Sequence, residues 1–244
     1  MSLKKVALIT GGSKGIGASI AYKLAKDGFD VAINYKSNTI LAEAAVKQLH
    51  TCDVKALAIK CDIADAQDVE AMFTEVEKVL GKVDVLVNNA GIMQLAKLTD
   101  SDDELFDSQV AVNFKGTFNT LRQAALRLNE GGRIVNLSTS VVALKLETYG
   151  IYAATKAAVE SLTTIVSKEL RGRSITVNAV APGPTATDLF LSGKSPELIE
   201  KLSHMNPLER LGSPEDIANV VAFLVGPQGG WINGQVLRAN GGMI

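Results

Sequence analysis

Residues Val6 to Gly17 read VALITGGSKGIG, an apolar, β-branched run that breaks into glycines and leads straight into ASIAYKLAKDG, a stretch of helical period. A strand, a glycine turn and a helix in that order gather backbone N–H groups and a helix N-terminus at one point, the arrangement that receives a phosphate. Gly11, Gly15 and Gly17 suit it because a side chain would hold a pyrophosphate off the backbone, and because the turn calls for positive φ. Ser13 and Lys14 lie inside the same turn. The G-x-x-x-G-x-G spacing is wider than G-x-G-x-x-G, so its meaning depends on what surrounds it.

Outward from this turn the chain alternates. Strand-like runs at 6–10, 31–34, 56–60, 83–88, 133–138, 175–181 and 235–239 are separated by helical segments near 15–27, 39–50, 65–80, 102–129, 151–171 and 214–225. The strands are almost wholly apolar, as strands covered on both faces are. The pattern predicts an α/β fold, a Rossmann-type doubly wound sheet of seven mainly parallel strands with helices on both faces. No linker or repeat interrupts residues 1–244, which read as one domain. The least regular stretch, 183–213, reads as a loop that closes over a substrate.

The turn therefore opens a βαβ unit, and a dinucleotide is the expected ligand. An NAD site carries an acid at the end of the second strand for the ribose hydroxyl. This chain has Asn34, Tyr35, Lys36 and Ser37 there. An ammonium and a hydroxyl attract a 2′-phosphate, and Lys14 adds a second cation, so NADP(H) is expected in preference to NAD(H).

Composition narrows the class. Of 244 residues, 47% are apolar and 21% charged, with a formal net charge of −1, so nothing favours nucleic acid or an anionic membrane as partner. No leader or membrane-spanning run is visible. Cys52 and Cys61 form no CxxC, and His50 and His204 are far apart, which predicts a reduced, cytoplasmic protein with neither structural metal nor disulfides.

Tyr152 and Lys156 stand four apart in YAATK, on one face of a helix, where a cation lowers the pKa of a phenol. With this pair the chain resembles the short-chain dehydrogenases/reductases along essentially its whole length. Thr10 to Gly17 is similar to that family's TGxxxGxG turn, Asn88 to Gly91 to its NNAG, YAATK to its YxxxK, and Pro182 to Thr187 to the PG segment beside the nicotinamide. RLGSPEDIA at 210–218 and NGQV from Asn233 also match. Within the family the chain is most similar to 3-oxoacyl-acyl-carrier-protein reductases.

The resemblance implies roles. Tyr152 donates a proton to a carbonyl oxygen as hydride arrives, Lys156 lowers its pKa and holds the nicotinamide ribose, and Asn113 supports a proton relay through Lys156. A seryl hydroxyl orients the carbonyl. Ser138, Thr139 and Ser140 compete for that role: thirteen residues before Tyr152 is Thr139, whereas Ser140 begins the SVVA that resembles the family's continuation, and Ser140 is the expected residue. Ile16 is expected beside the pyrophosphate, Asp62 and Ile63 around adenine, Asn89, Ala90 and Gly91 along the ribose, and Pro182, Gly183, Thr185 and Thr187 near the carboxamide. Asp62 reads equally as a helix cap.

The expected activity is NADPH-dependent reduction of a ketone or aldehyde, a 3-oxoacyl thioester included. The alternative is an oxidative sugar or secondary-alcohol dehydrogenase. A non-catalytic sensor is disfavoured because Tyr152 and Lys156 are both kept. Arg173 suits an acidic carrier protein, but Glu130 stands where a second cation would be wanted. The family's homotetramers are paired through helices matching 102–129 and 151–171, so a homotetramer, or a dimer, is expected.

Overall fold

The computed structural model describes residues 4–244. The chain forms β1 (Val6–Ile9), α1 (Gly15–Lys26), β2 (Asp30–Tyr35), α2 (Thr39–His50), β3 (Ala56–Lys60), α3 (Ala66–Val79) and β4 (Val85–Asn88). There follow α4 (Asp103–Gln109), a π-helical turn (Val110–Gly116), α5 (Thr117–Arg127), β5 (Arg133–Leu137), α6 (Val141–Leu144), α7 (Gly150–Glu169) and β6 (Thr176–Pro182). The last elements are α8 (Asp188–Leu191), α9 (Pro196–Ser203), α10 (Pro214–Val225) and β7 (Val236–Ala239).

One sheet carries all seven strands in the order β3-β2-β1-β4-β5-β6-β7, and every neighbouring pair is parallel. Alternation along β1 explains the two layers. Ala7 and Ile9 face α1 and α10, packing with Ile20, Leu24, Val221 and Leu224. Val6 and Leu8 face the other way, onto Met72 and Phe73 of α3 and Leu121 of α5. Both faces of each central strand are thus dry, which is why the sequence there is continuously apolar. Each of the larger side chains buried in this way stabilises the fold by about 1.5–3 kcal/mol.

Helix starts follow local chemistry. Asn38, Asp65 and Ser213 cap α2, α3 and α10 by accepting backbone N–H bonds, and Ser213 with Asp216 forms a reciprocal capping box. Asp62 is therefore not the cap of α3; Asp65 is. Two expected elements differ in detail. The helix read at 102–129 is divided by the π-helical turn, where the Thr117 hydroxyl donates to Asn113 O at 2.8 Å and the Asn113 side chain is engaged outside the helix. The irregular stretch 183–213 contains α8 and α9, which are too short for periodicity to announce. Among the described residues no helix is long and apolar enough to cross a membrane.

Candidate active site

Strand order reverses between β1 and β4, and beyond the C-terminal ends of these strands a doubly wound sheet leaves a crevice. The glycine turn after β1 is held there from two sides. The Thr10 hydroxyl oxygen accepts N–H bonds from Asn89 and Ala90, both at 3.0 Å, while Asn89 Nδ2 donates to Thr10 O and Gly11 O at 2.9 and 3.0 Å. From β2, Asn34 Oδ1 accepts the Gly11 N–H at 3.2 Å and its Nδ2 donates to Cys61 O at 2.8 Å. Asn34 is buried, so it braces the turn rather than presenting its amide to a ribose phosphate, a departure from the reading of this strand end.

The turn has the shape of a dinucleotide cradle. A Cβ on Gly17 would lie 2.3 Å from Gly11 O and 2.4 Å from Asn89 Nδ2, closer than any side chain can come. The N-terminus of α1 has Lys14 at its cap and no side-chain cap bond, leaving backbone N–H groups of its first turn for an anion. Ser13 and Ile16 are half-buried in this turn and Gly15 is exposed. The segment after β6 folds towards it: a Cβ on Gly15 would be 3.5 Å from Thr187 Cγ2. Thr187 caps α8 through Phe190 N, Thr185 is buried and donates to Gly183 O, and the buried Pro182 accepts the Ser140 N–H at 2.9 Å.

At the ends of β2 and β3, Lys36 Nζ pairs with Asp62 Oδ2 at 2.6 Å. Two residues assigned to different ends of a nucleotide are thus direct neighbours. Partial burial raises the Asp62 pKa, but the Lys36 hydrogen bond and the Ala64 N–H outweigh it, and the carboxyl is held below its ordinary value. Tyr35 is half-buried and Ser37 exposed beside this pair. Ile63 is buried against Gly116 of the π-helical turn, and Asn119 donates to its carbonyl.

Tyr152 and Lys156 lie in the first half of α7, on one face as the i,i+4 spacing requires. Lys156 is buried, and its Nζ donates to Leu137 O at 2.8 Å. A Cβ on Gly91 would sit 3.5 Å from that nitrogen and 3.2 Å from Asn113 Oδ1, so the missing side chain keeps the approach from the β4 end clear. An ammonium with three donors and one protein acceptor fits a pair of ribose hydroxyls. Asn113 is fully buried; its Oδ1 accepts the Ile92 N–H at 2.8 Å and its Nδ2 donates to Ile92 O at 2.9 Å and Thr155 Oγ1 at 3.3 Å.

The electrostatics depart from expectation. Burial pushes the Tyr152 phenol up to about 12, with the Thr139 hydrogen bond a smaller, opposing influence. Burial pulls the Lys156 ammonium down to about 8. Desolvation is the largest influence on the phenol, and the one protein acceptor of Lys156 is the Leu137 carbonyl.

The three consecutive hydroxyls after β5 are directed three ways. Ser138 Oγ donates to Glu160 Oε1 at 2.6 Å. Ser140 Oγ donates to Ala181 O at 3.2 Å and accepts from Asn240 Nδ2 at 3.0 Å. Thr139 Oγ1 accepts the Val141 N–H at 3.3 Å, and of the three hydroxyls it is the one that bears on the Tyr152 phenol, drawing its pKa down. Ser140, the expected partner, faces away because its hydroxyl is already satisfied by β6 and the chain's C-terminal segment. The count of thirteen residues was the signal for Thr139. Tyr149, whose ring stands edge-on to Tyr152 with centroids 6.5 Å apart, had no such signal.

A parallel sheet with a glycine turn at its switch point, and a tyrosine–lysine pair on the helix after β5, is the arrangement of a dinucleotide-dependent oxidoreductase. A family model described as enoyl-(acyl carrier protein) reductase matches residues 11–244. The chain is 43% identical over 255 residues to an NADPH-dependent aldehyde reductase 2, chloroplastic, of Arabidopsis thaliana, covering 98% of this chain and 94% of that protein. It is 42% identical over 245 residues to a 3-oxoacyl-[acyl-carrier-protein] reductase of Staphylococcus aureus, covering 100% and 99%. A short-chain dehydrogenase from Burkholderia cenocepacia J2315, solved in complex with NADP, superposes with a TM-score of 0.93 at 38% identity, covering 100% of this chain and 99% of that one. The chain belongs to the short-chain dehydrogenase/reductase family.

Proposed function

We propose that the protein is an NADPH-dependent reductase of small aldehydes or ketones, with Tyr152 as proton donor and Thr139 as the hydroxyl that orients the carbonyl. The observation that carries this reading is the placement of Tyr152 one helical turn before the buried Lys156 on α7, with burial raising the phenol's pKa. A protonated phenol is the form that reduction consumes, whereas oxidation needs the phenolate, so the oxidative alternative is the weaker one.

A nicotinamide, when bound, supplies the hydride to the carbonyl carbon. The chain's residues do the rest. Thr139 donates to the carbonyl oxygen and stabilises the charge that builds on it. Tyr152 delivers the proton to that oxygen, leaving an alcohol and a phenolate. Lys156 and Asn113 stand behind the pair to return a proton from solvent. Lys156 holds the nicotinamide ribose, and the glycine turn with Lys14 and Lys36 takes the phosphates. NADPH is preferred on charge grounds, in keeping with the aldehyde-reductase relative and the NADP-bound neighbour.

A free carbonyl compound fits better than an acyl-carrier protein. Arg173, the cation suited to such a partner, is paired with Glu130 at 2.9 Å and donates to Ala125 O and Leu128 O, so little of its charge is left to offer. Residues 183–213 form the substrate loop, and Leu189, Leu198 and Met205 are exposed on it, which favours an apolar substituent beside the carbonyl. Phe118 and Leu126 of α5 and Ile165 of α7 are exposed apolar residues that suit pairing of subunits in a homotetramer.

The test follows NADPH oxidation at 340 nm over a panel of aldehydes, ketones and 3-oxoacyl thioesters. Tyr152→Phe should lose at least 1,000-fold in turnover while still binding NADPH, and Thr139→Ala about 100-fold. A Tyr152→Phe enzyme that turns over normally would sink the reading.

A further inference from the structure

Asn240, four residues before the last one, makes a contact that the proposed chemistry does not use. It lies just beyond β7 and a hundred positions from Ser140, whose hydroxyl it meets at 3.0 Å. The direction of this contact is set by its neighbours. Asn240 Oδ1 accepts the Gly242 N–H at 3.1 Å, and a backbone N–H can only donate. Nδ2 therefore faces Ser140, whose oxygen accepts, and the Ser140 O–H goes on to Ala181 O, which can only accept. Amide, hydroxyl and carbonyl form one oriented chain from the C-terminal segment to β6.

Thr139 is thereby fixed from both sides. On one side Ser138 is anchored to Glu160 of α7. On the other Ser140 is anchored to β6 by its backbone N–H, which donates to Pro182 O at 2.9 Å, and by its hydroxyl. Asn240 is itself confined: a Cβ on Gly183 would lie 2.8 Å from Asn240 Cβ. The next residue, Gly241, rests on Asn206, a buried side chain that donates to Ser203 O and Arg210 O and accepts the Leu208 N–H. The same segment so touches the substrate loop and the turn that carries Thr139.

We propose that Asn240 is a positioning residue: through Ser140 it holds the Ser138–Ser140 turn so that the Thr139 hydroxyl, and neither serine, faces Tyr152. This rests on the assignment of Thr139 as the orienting hydroxyl. A hydroxyl displaced by a fraction of an ångström loses much of its effect on a developing oxyanion, whereas cofactor binding at the glycine turn is untouched.

The experiment is steady-state kinetics on purified Asn240→Ala, Asn240→Asp, Ser140→Ala and the Asn240→Ala/Ser140→Ala double variant, with a melting curve for each. Asn240→Ala should lower kcat about tenfold and leave KM for NADPH within about twofold, the loss expected for a misplaced group. Asn240→Asp should lose kcat as Asn240→Ala does, because a carboxylate has no proton to give the Ser140 oxygen, whose own proton is held by Ala181 O. Ser140→Ala should match Asn240→Ala, and the double variant should be no slower than either single one, the signature of residues acting in series. A normal kcat in Asn240→Ala or Asn240→Asp, additive losses, or a loss that tracks melting temperature across the variants would overturn the proposal. If Thr139→Ala kept full turnover, the assignment of Thr139 would fall and this inference with it; if only Asn240→Ala did, this inference alone would fall.

Discussion

Lys156→Met separates what the buried lysine does for stability from what it does for chemistry. The ammonium is 5% exposed and has no carboxylate beside it, and burial lowers its pKa from 10.5 to about 8. A displacement of about 2.5 units, at 1.36 kcal/mol per unit, makes the charged form roughly 3 kcal/mol less favourable in the fold than in the unfolded chain. The bond to Leu137 O is lost with the side chain and offsets about 1 kcal/mol of that. Methionine has similar length and no charge, so the variant should be more stable than the parent at pH 7 by roughly 2 kcal/mol, or about 4–8 °C in Tm for a chain of this size. The pH dependence carries the sharper test. Between the folded value near 8 and the unfolded value of 10.5 the unfolded chain binds more protons, so the parent gains stability as pH rises through that window, while below it the penalty is complete. Lys156→Met has no such titration. Melting curves from pH 6 to 10 should show the gap widest below pH 8 and nearly closed at pH 10, and NADPH turnover should be lost throughout. A gap that stays constant with pH, or a variant that melts below the parent at pH 7, would refute the reasoning.

Two further perturbations address the cofactor site. Gly17→Ala forces a methyl to within 2.3 Å of Gly11 O, so the turn must spread; about 1–3 kcal/mol of stability should go, and fluorescence titration should show NADPH binding weakened at least tenfold. Binding within twofold of the parent would mean that the turn is not the phosphate site. Lys36→Glu places a second anion beside Asp62, which should raise KM for NADPH by roughly tenfold or more, the worth of one charge-assisted hydrogen bond, and leave KM for NADH nearly unchanged. Equal effects on both cofactors would remove Lys36 from the 2′-phosphate site.

Much of the fold was legible because its signals are local. Each of the seven strands is a mainly apolar stretch of four to seven residues, and each is where that stretch predicted. The helices that were misread are of two kinds. In the stretch 102–129 the period of the apolar residues barely changes across the π-helical turn, and the break depends on Asn113 reaching Ile92, twenty-one residues back. In 183–213, α8 and α9 are held by single side-chain caps, Thr187 and Ser195, on helices of four and eight residues.

The site divides along the same line. Spacing places Tyr152 above Lys156, and the glycine pattern places backbone N–H groups at the start of α1, because helix pitch and steric freedom of the backbone belong to a few adjacent residues. Which of three adjacent hydroxyls faces the phenol does not. Ser138, Thr139 and Ser140 have nearly the same chemistry, and their directions depend on Glu160, Ala181 and Asn240, which come from α7, β6 and the C-terminal segment. The acidity of Tyr152 is decided the same way: a neighbouring cation can be read from the sequence, but the desolvation that raises its pKa comes from residues folded in from elsewhere. Pairwise spacing along a helix is covalent information, whereas burial and hydrogen-bond direction are sums over distant parts of the chain and exist once those parts have packed.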